Sequence, residues 1–260
     1  MVNPPPLPMP KTALITGAAR RIGRALAEAL AADGWTVAVH FHGSSQAADE
    51  VLASIAAKGG KAVACDADLS NPDAVAGLVA AATGQIGPLG CLINNASIFE
   101  RDDIETATLG SWDSHMAINL RAPFFLSQAF TRQLPKGKTG AIINVIDERV
   151  WHLTPHFASY TISKAGLWAL TQTLAMALAP HIRVNAIGPG PTLPSPRQTQ
   201  AQFDAQARSM PLERGTTPTE ICDAARFILA APAMTGQMIA LDGGQHLGWG
   251  QVEKNIQPED

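Results

Sequence analysis

Short β-rich runs alternate with longer helical patterns along almost the whole chain, and this alternation restricts the fold more than any other feature. The runs 12–16 (TALIT), 35–41 (WTVAVHF), 61–70 (KAVACDADLS), 90–97 (GCLINNAS), 140–147 (GAIINVID) and 182–190 (IRVNAIGPG) read as strands, and GQMIALDGG holds a last one. Helical patterns fall at 21–34, about 45–58, after Pro72, and at about 111–134, 157–179 and 218–231. Strands separated by helices at this spacing form βαβ units, which require a parallel sheet covered on both faces by helices. The expected fold is therefore α/β, a single doubly wound domain over residues 11–250. Residues 1–10 and 251–260 read as tails, the first because MVNPPPLPMP is proline-rich. The stretch 190–215 is poor in periodicity and rich in Pro, Gln and Arg. It follows the C-terminal end of a strand, where open α/β sheets bind ligands. It reads as a substrate-covering segment, with an ordinary long loop as the alternative.

Composition removes several function classes. With 46% hydrophobic and 16% charged residues, the 260-residue chain can bury a sizeable core. A net charge of −3 argues against broad nucleic-acid or anionic-membrane binding. No apolar run reaches the ~18 residues that a membrane span needs, and the N-terminus has no apolar signal core. A cytoplasmic location is expected. Cys65, Cys91 and Cys222 are far apart and form no CxxC pair, so they read as buried thiols in a reducing compartment; no metal site is expected.

TGAARRIG (16–23) lies between the first strand and the first helix. Gly17 suits a tight turn and Gly23 close packing of helix on sheet. The helix N-terminus then offers free N–H groups and a positive dipole end to a pyrophosphate. The second strand ends VHFHGSS, without the Asp or Glu that would hold a ribose 2′-hydroxyl and repel a 2′-phosphate. Arg21, His40, His42 and Ser44 stand there as potential donors instead, which favours NADPH over NADH. The two histidines could equally be surface or packing residues.

YTISK (160–164) places Tyr160 and Lys164 on one helical face, where a tyrosine can serve as a proton donor. Many core helices contain such a pair, and its context gives it meaning. TGAARRIG, DADL (66–69), NNAS (94–97), Asn119 in AINLRAPFF, YTISK, IRVNAIGPG and LDGG (241–244) follow one another in this order. Over about residues 11–248 the chain resembles the short-chain dehydrogenase/reductases, whose fold is of Rossmann type. The resemblance implies that Gly17, Arg21, Ile22, Gly23, His40, Ser44 and Ser97 contribute to cofactor binding. Asp68 and Leu69 would contact the adenine, Asn95 and Ala96 would lie by the nicotinamide ribose, and Pro189 and Gly190 would frame the nicotinamide. Tyr160 would donate a proton, Lys164 would hold the ribose and lower the Tyr160 pKa, and Asn119 would help hold Lys164 and a water chain. A homotetramer built on the helices at about 111–134 and 157–179 and on the last strand is also implied.

Three departures narrow the resemblance. The chain has Arg21 and Ser97 where the common pattern has Gly, and Asp147 where it has a Ser thirteen residues before the tyrosine. Together with Phe99 these are similar to the pteridine reductases and the bacterial dihydromonapterin reductases. The substrate residues would then be Ser97, Phe99, Asp147 and Tyr160, with Phe99 stacked on a pterin or else a mere wall. A carboxylate beside the donor would repel the oxyanion of a ketone being reduced, whereas a pterin presents ring C=N and N–H groups. It also disfavours a phenolate at Tyr160. A salt bridge from Asp147 to Arg149 is the plain alternative. The expectation is NADPH-dependent reduction of a pterin-like small molecule. The rivals are a 3-oxoacyl or sugar carbonyl reductase and, with less support, a dinucleotide-sensing module.

Overall fold

The computed structural model describes residues 7–248. The outer ends of both expected tails, 1–6 and 249–260, lie outside the described residues. Seven parallel strands form one sheet in the order β3-β2-β1-β4-β5-β6-β7. They are β1 Thr12–Ile15, β2 Thr36–Phe41, β3 Lys61–Asp66, β4 Cys91–Asn94, β5 Gly140–Val145, β6 Ile182–Pro189 and β7 Met238–Leu241. The order reverses between β1 and β4, so a crevice opens at the C-terminal ends of those strands.

Helices α1 (Arg21–Ala32), α2 (Ser45–Ala57), α3 (Pro72–Ile86), α4 (Leu109–Met116), α5 (Ala122–Gln133), α6 (Ala158–Leu178), α7 (Gln200–Arg208) and α8 (Pro218–Ala230) complete the chain. The sheet residues alternate between two cores because strand side chains have period two. Ala13, Ile15, Val37, Val39 and Ile143 meet Leu26, Leu30, Val51 and Ile228 of α1, α2 and α8. Leu14, Ala38, Leu92 and Ile142 meet Val75, Leu78, Leu126 and Phe130 of α3 and α5. The inner strands β1, β2, β4, β5 and β6 are buried on both sides, which is why they read as near-continuous apolar runs.

Three details differ from the sequence reading. The long helix at 111–134 begins two residues earlier, where Thr108 and Ser111 form a capping box, and a π-turn at Ala117–Arg121 separates α4 from α5. The 190–215 segment contains α7, which buries none of its residues and so has no apolar stripe to announce it; Thr199 and Gln202 cap it. Residues 7–10 are not a loose tail. The carbonyls of Leu7 and Pro8 accept from Thr139, and a Cβ on Gly90 would fall 1.9 Å from the Pro10 oxygen, so this stretch is laid against the start of β4 and β5.

Candidate active site

A cleft of ≈ 580 Å³ runs across the C-terminal ends of the strands, and all the predicted site residues line it except Asn119. At its phosphate end the chain turns from β1 into α1 through Gly17, with φ +63°. A Cβ on Gly23 would lie 2.1 Å from the Gly17 oxygen, so only glycine lets the helix start this close to the turn. Thr16, which the sequence reading passed over, fixes the facing strand end: its Oγ1 accepts from the backbone N–H groups of Asn95 and Ala96, both at 2.9 Å. The Asn95 side chain is spent on the same turn, donating to the carbonyls of Thr16 and Gly17 at 2.8 and 3.2 Å.

His40 needs a correction. It is 2% exposed, its Nδ1 accepts from Gly17 N–H at 3.0 Å, and its Nε2 faces the Ala67 carbonyl at 3.0 Å. With both nitrogens occupied it has no donor to offer a 2′-phosphate. It ties the glycine turn to the loop after β3, and burial lowers its pKa and keeps it neutral. His42 is exposed and 3.7 Å from Asp66. Ser44 precedes α2 with a hydroxyl that makes no capping bond, leaving that helix N-terminus available to an anion. Arg21, at φ +53°, reaches across the cleft and donates to the carbonyls of Pro194 and Leu193 at 3.0 and 3.1 Å. At the adenine end Asp68 accepts from Ser70 N–H, which lowers its pKa, and Leu69 is buried. Across the cleft, a Cβ on Gly190 would meet Asp242 Cα at 2.8 Å.

The reacting end is assembled from β5 and the first turns of α6. Tyr160 donates to Asp147 Oδ2 at 2.7 Å, and Asp147 Oδ1 accepts the Arg149 backbone N–H at 2.9 Å. The Arg149 guanidinium goes to Thr154 and over the Phe157 ring, so the salt-bridge alternative for Asp147 does not describe this arrangement. Burial, then the Asp147 carboxylate, raises the Tyr160 pKa well above that of a free phenol. Lys164 is 2% exposed, donates to the Val145 carbonyl at 2.9 Å, and is pushed down by burial to about 8. The expected lowering of the Tyr160 pKa by Lys164 is thus reversed here: burial and a carboxylate in direct contact outweigh an ammonium 5.7 Å from the ring centre.

Asn119 does not touch Lys164 either. Its amide accepts from Ser97 Oγ and Ile98 N–H and donates to the Ile98 carbonyl and Ser163 Oγ, all at 3.0–3.1 Å. It therefore locks the loop after β4 onto α6. The ring of Phe99 stacks on Phe157, with centroids 4.3 Å apart and planes 7° from parallel, and meets the Tyr160 ring edge-on at 4.7 Å. Arg197 lies 5.6 Å from the Phe99 ring centre and pairs with Glu100 at 2.7 Å. Phe157, Arg197, Glu148 and Gln245 were not singled out from sequence: none belongs to a motif, although Glu148 follows Asp147, Phe157 stands three residues before Tyr160 and Gln245 follows LDGG, and these neighbours were the signal that could have found those three.

The glycine cradle, the open α2 N-terminus and a tyrosine–lysine pair at the strand ends suit a nicotinamide dinucleotide with its reactive ring near Tyr160. Residues 11–205 match the short chain dehydrogenase family. The chain belongs to that family. Members of it are oxidoreductases. This one is similar to the structure of FolM alternative dihydrofolate reductase 1 from Brucella suis in complex with NADP, at 45% identity and a TM-score of 0.90 over 92% of this chain and 96% of that one. The Brucella canis counterpart, also complexed with NADP, matches at 45% identity and a TM-score of 0.90 over 95% and 97%. These neighbours agree with the resemblance to the pterin-reducing subgroup and with NADP as cofactor. By sequence the chain is also 35% identical to the 3-oxoacyl-[acyl-carrier-protein] reductase of Synechocystis sp. over 90% of this chain and 96% of that protein.

Proposed function

We propose that this chain is an NADPH-dependent reductase of dihydropterins or dihydrofolate. The observation that carries the reading is Asp147, whose carboxylate accepts the Tyr160 hydroxyl at 2.7 Å where carbonyl-reducing relatives carry a serine. A serine can donate to a carbonyl oxygen, whereas a carboxylate would repel the negative charge growing there. The ring nitrogens and N–H groups of a pterin suit an acceptor. NADPH bound in the cleft would supply the hydride that a ring carbon accepts. Tyr160 holds the proton for the adjacent ring nitrogen, and Asp147 orients the hydroxyl and disfavours the phenolate until the nitrogen becomes basic. Lys164, anchored on Val145, offers its remaining N–H groups to the cofactor ribose. Phe99, backed by Phe157, forms the aromatic wall against which a flat bicycle packs once Arg197 turns aside. Ser44, Arg21 and the first turn of α2 serve the 2′-phosphate.

The likeness to 3-oxoacyl reductases favours a second reading, reduction of a 3-oxoacyl thioester. Steady-state NADPH oxidation with dihydrobiopterin, dihydromonapterin and dihydrofolate, beside acetoacetyl thioesters, separates the two. Turnover of the pterins is expected; turnover of the thioester alone would replace the first reading with the second. Exposed Phe124, Phe125 and Met176 on α5 and α6 support a tetramer joined through those helices, which sedimentation would test.

A further inference from the structure

Four buried side-chain polar atoms that have no partner belong to residues lining the cleft: Glu148 Oε2, Arg149 Nε, Ser195 Oγ and Gln245 Oε1. Buried polar atoms are nearly always paired, so each one left unpaired in a cleft calls for an explanation, and a ligand atom supplies one. Glu148 is the sharpest case. It is 5% exposed, follows Asp147 directly, and sits in the short 3-10 turn Glu148–Val150 that packs on the turn Gln245–Leu247. Among the described residues no ion pair holds its carboxyl, although Arg149 is its neighbour in sequence, because that guanidinium is turned to Thr154 and Phe157. The Asp242 carboxylate is likewise committed, to Gly244 and His246. Glu148 Oε2 and Gln245 Oε1 are acceptors, and beside them Arg149 Nε is an unpaired donor.

We propose that Glu148, with Gln245 from the adjoining turn, is the substrate-recognising acceptor pair of the cleft and takes the N–H and amino donors of an aminopyrimidinone edge. Arg149 Nε is the matching donor for the lactam oxygen on the same edge. The inference rests on the pterin reading and deepens it, because a 3-oxoacyl thioester offers only acceptors at its reacting end and would leave the acceptor oxygens of Glu148 and Gln245 unpaired. Burial pushes Glu148 up to about 8, so it is largely neutral at pH 7, and a neutral carboxyl still presents a carbonyl oxygen to one N–H. Glu148 and Gln245 would thus set which way round the bicycle lies against Phe99, and hence which ring carbon faces the hydride.

The test compares a 7,8-dihydropterin with its 2-oxo dihydrolumazine analogue, which lacks the amino group. The unmutated enzyme should favour the dihydropterin through KM. Glu148→Leu should raise the dihydropterin KM about tenfold with kcat within about twofold, raise the lumazine KM much less, and leave the NADPH Kd unchanged. Glu148→Gln, which keeps an acceptor oxygen, should restore most of the affinity. If Glu148→Leu does not fold, Gln245→Leu should give the same split more weakly. An unchanged dihydropterin KM in a folded variant overturns the assignment, and so does a weakened NADPH Kd, which would assign the acceptors to the cofactor amide. Equal KM values for the two compounds in the unmutated enzyme overturn this assignment alone; turnover of neither overturns the pterin reading as well.

Discussion

Tyr160 and Asp147 share a hydrogen bond of 2.7 Å in which the phenol is the donor, so the carboxylate stands ready to accept and the tyrosine keeps its proton. Tyr160→Phe deletes the proton source without emptying the space, and kcat for a dihydropterin should fall by about 10²–10⁴. Asp147→Asn keeps the shape but no longer orients the phenol hydroxyl with a full charge or holds its proton in place against phenolate formation. It should lower kcat by at least tenfold with an unchanged NADPH Kd. Full activity of Asp147→Asn from pH 5 to 8, followed by NADPH oxidation, would remove the carboxylate from proton delivery and favour the carbonyl-reductase reading.

Arg21 reaches from the phosphate-binding turn to the carbonyls of Leu193 and Pro194. Charge-assisted hydrogen bonds are each worth roughly 1.5–3 kcal/mol, so losing one to a 2′-phosphate changes affinity by an order of magnitude or more. Arg21→Ala should therefore cut the preference for NADPH over NADH at least tenfold in titrations of both cofactors. It should also make the 192–199 stretch more susceptible to limited proteolysis. Equal binding of the two cofactors by the unmutated protein would disprove the first part.

Phe99 both lines the cleft and supports Phe157. Phe99→Ala should raise the KM for pterins by the loss of an aromatic stack, about 0.5–1.5 kcal/mol beyond buried area. Removing a partner ring from the fully buried Phe157 should also lower Tm. Phe99→Leu should recover the Tm more fully than the KM. A variant with lowered Tm and unaltered KM would make the ring a wall and nothing more.

Glu148 gives the fold a pH signature. Burial, reinforced by the Asp147 and Asp242 charges, raises it from the ordinary 4.5 to about 8. The folded chain therefore holds this proton more tightly than the unfolded chain. The stability it contributes is fully present below about 4.5 and is lost as pH rises through about 8. Glu148→Gln cannot ionise, so its Tm should gain on the unmutated protein as pH rises across that range. By pH 8 this corresponds to a gain in unfolding free energy on the order of 1–4 kcal/mol. A Tm difference that does not vary with pH would show that the carboxyl titrates normally.

Where the physics is local, the sequence was informative. The parallel sheet follows from apolar runs separated by helices, and Gly17 and Gly23 follow from a turn no side chain could enter. Asp147, Tyr160 and Lys164 meet because β5 and α6 bring together an offset of thirteen residues that the motif already contained. Helix α7 escaped notice because it buries nothing and leaves no periodicity. His40 misled because a donor-bearing ring at a strand end looks the same in sequence whether it faces a ligand or the backbone. The contacts of Phe157, Arg197, Glu148 and Gln245 join segments far apart in the chain, and no local pattern encodes them.

The π-turn at Ala117–Arg121 amounts to one residue more than a regular helix would use. That surplus sets the direction of Asn119, since each residue turns an α-helix by about 100°. Deleting one residue there would give smoother helical geometry and the wrong protein: Asn119 would swing away from Ser97, Ile98 and Ser163, or α5 would present a rotated face to α3. A substitution in this stretch away from Asn119 alters one side chain, whereas a change in its length turns every residue beyond it. The spacing between Thr108, where the helix begins, and Phe130, which packs beneath Gly140, is therefore a fixed ruler within an otherwise adaptable chain.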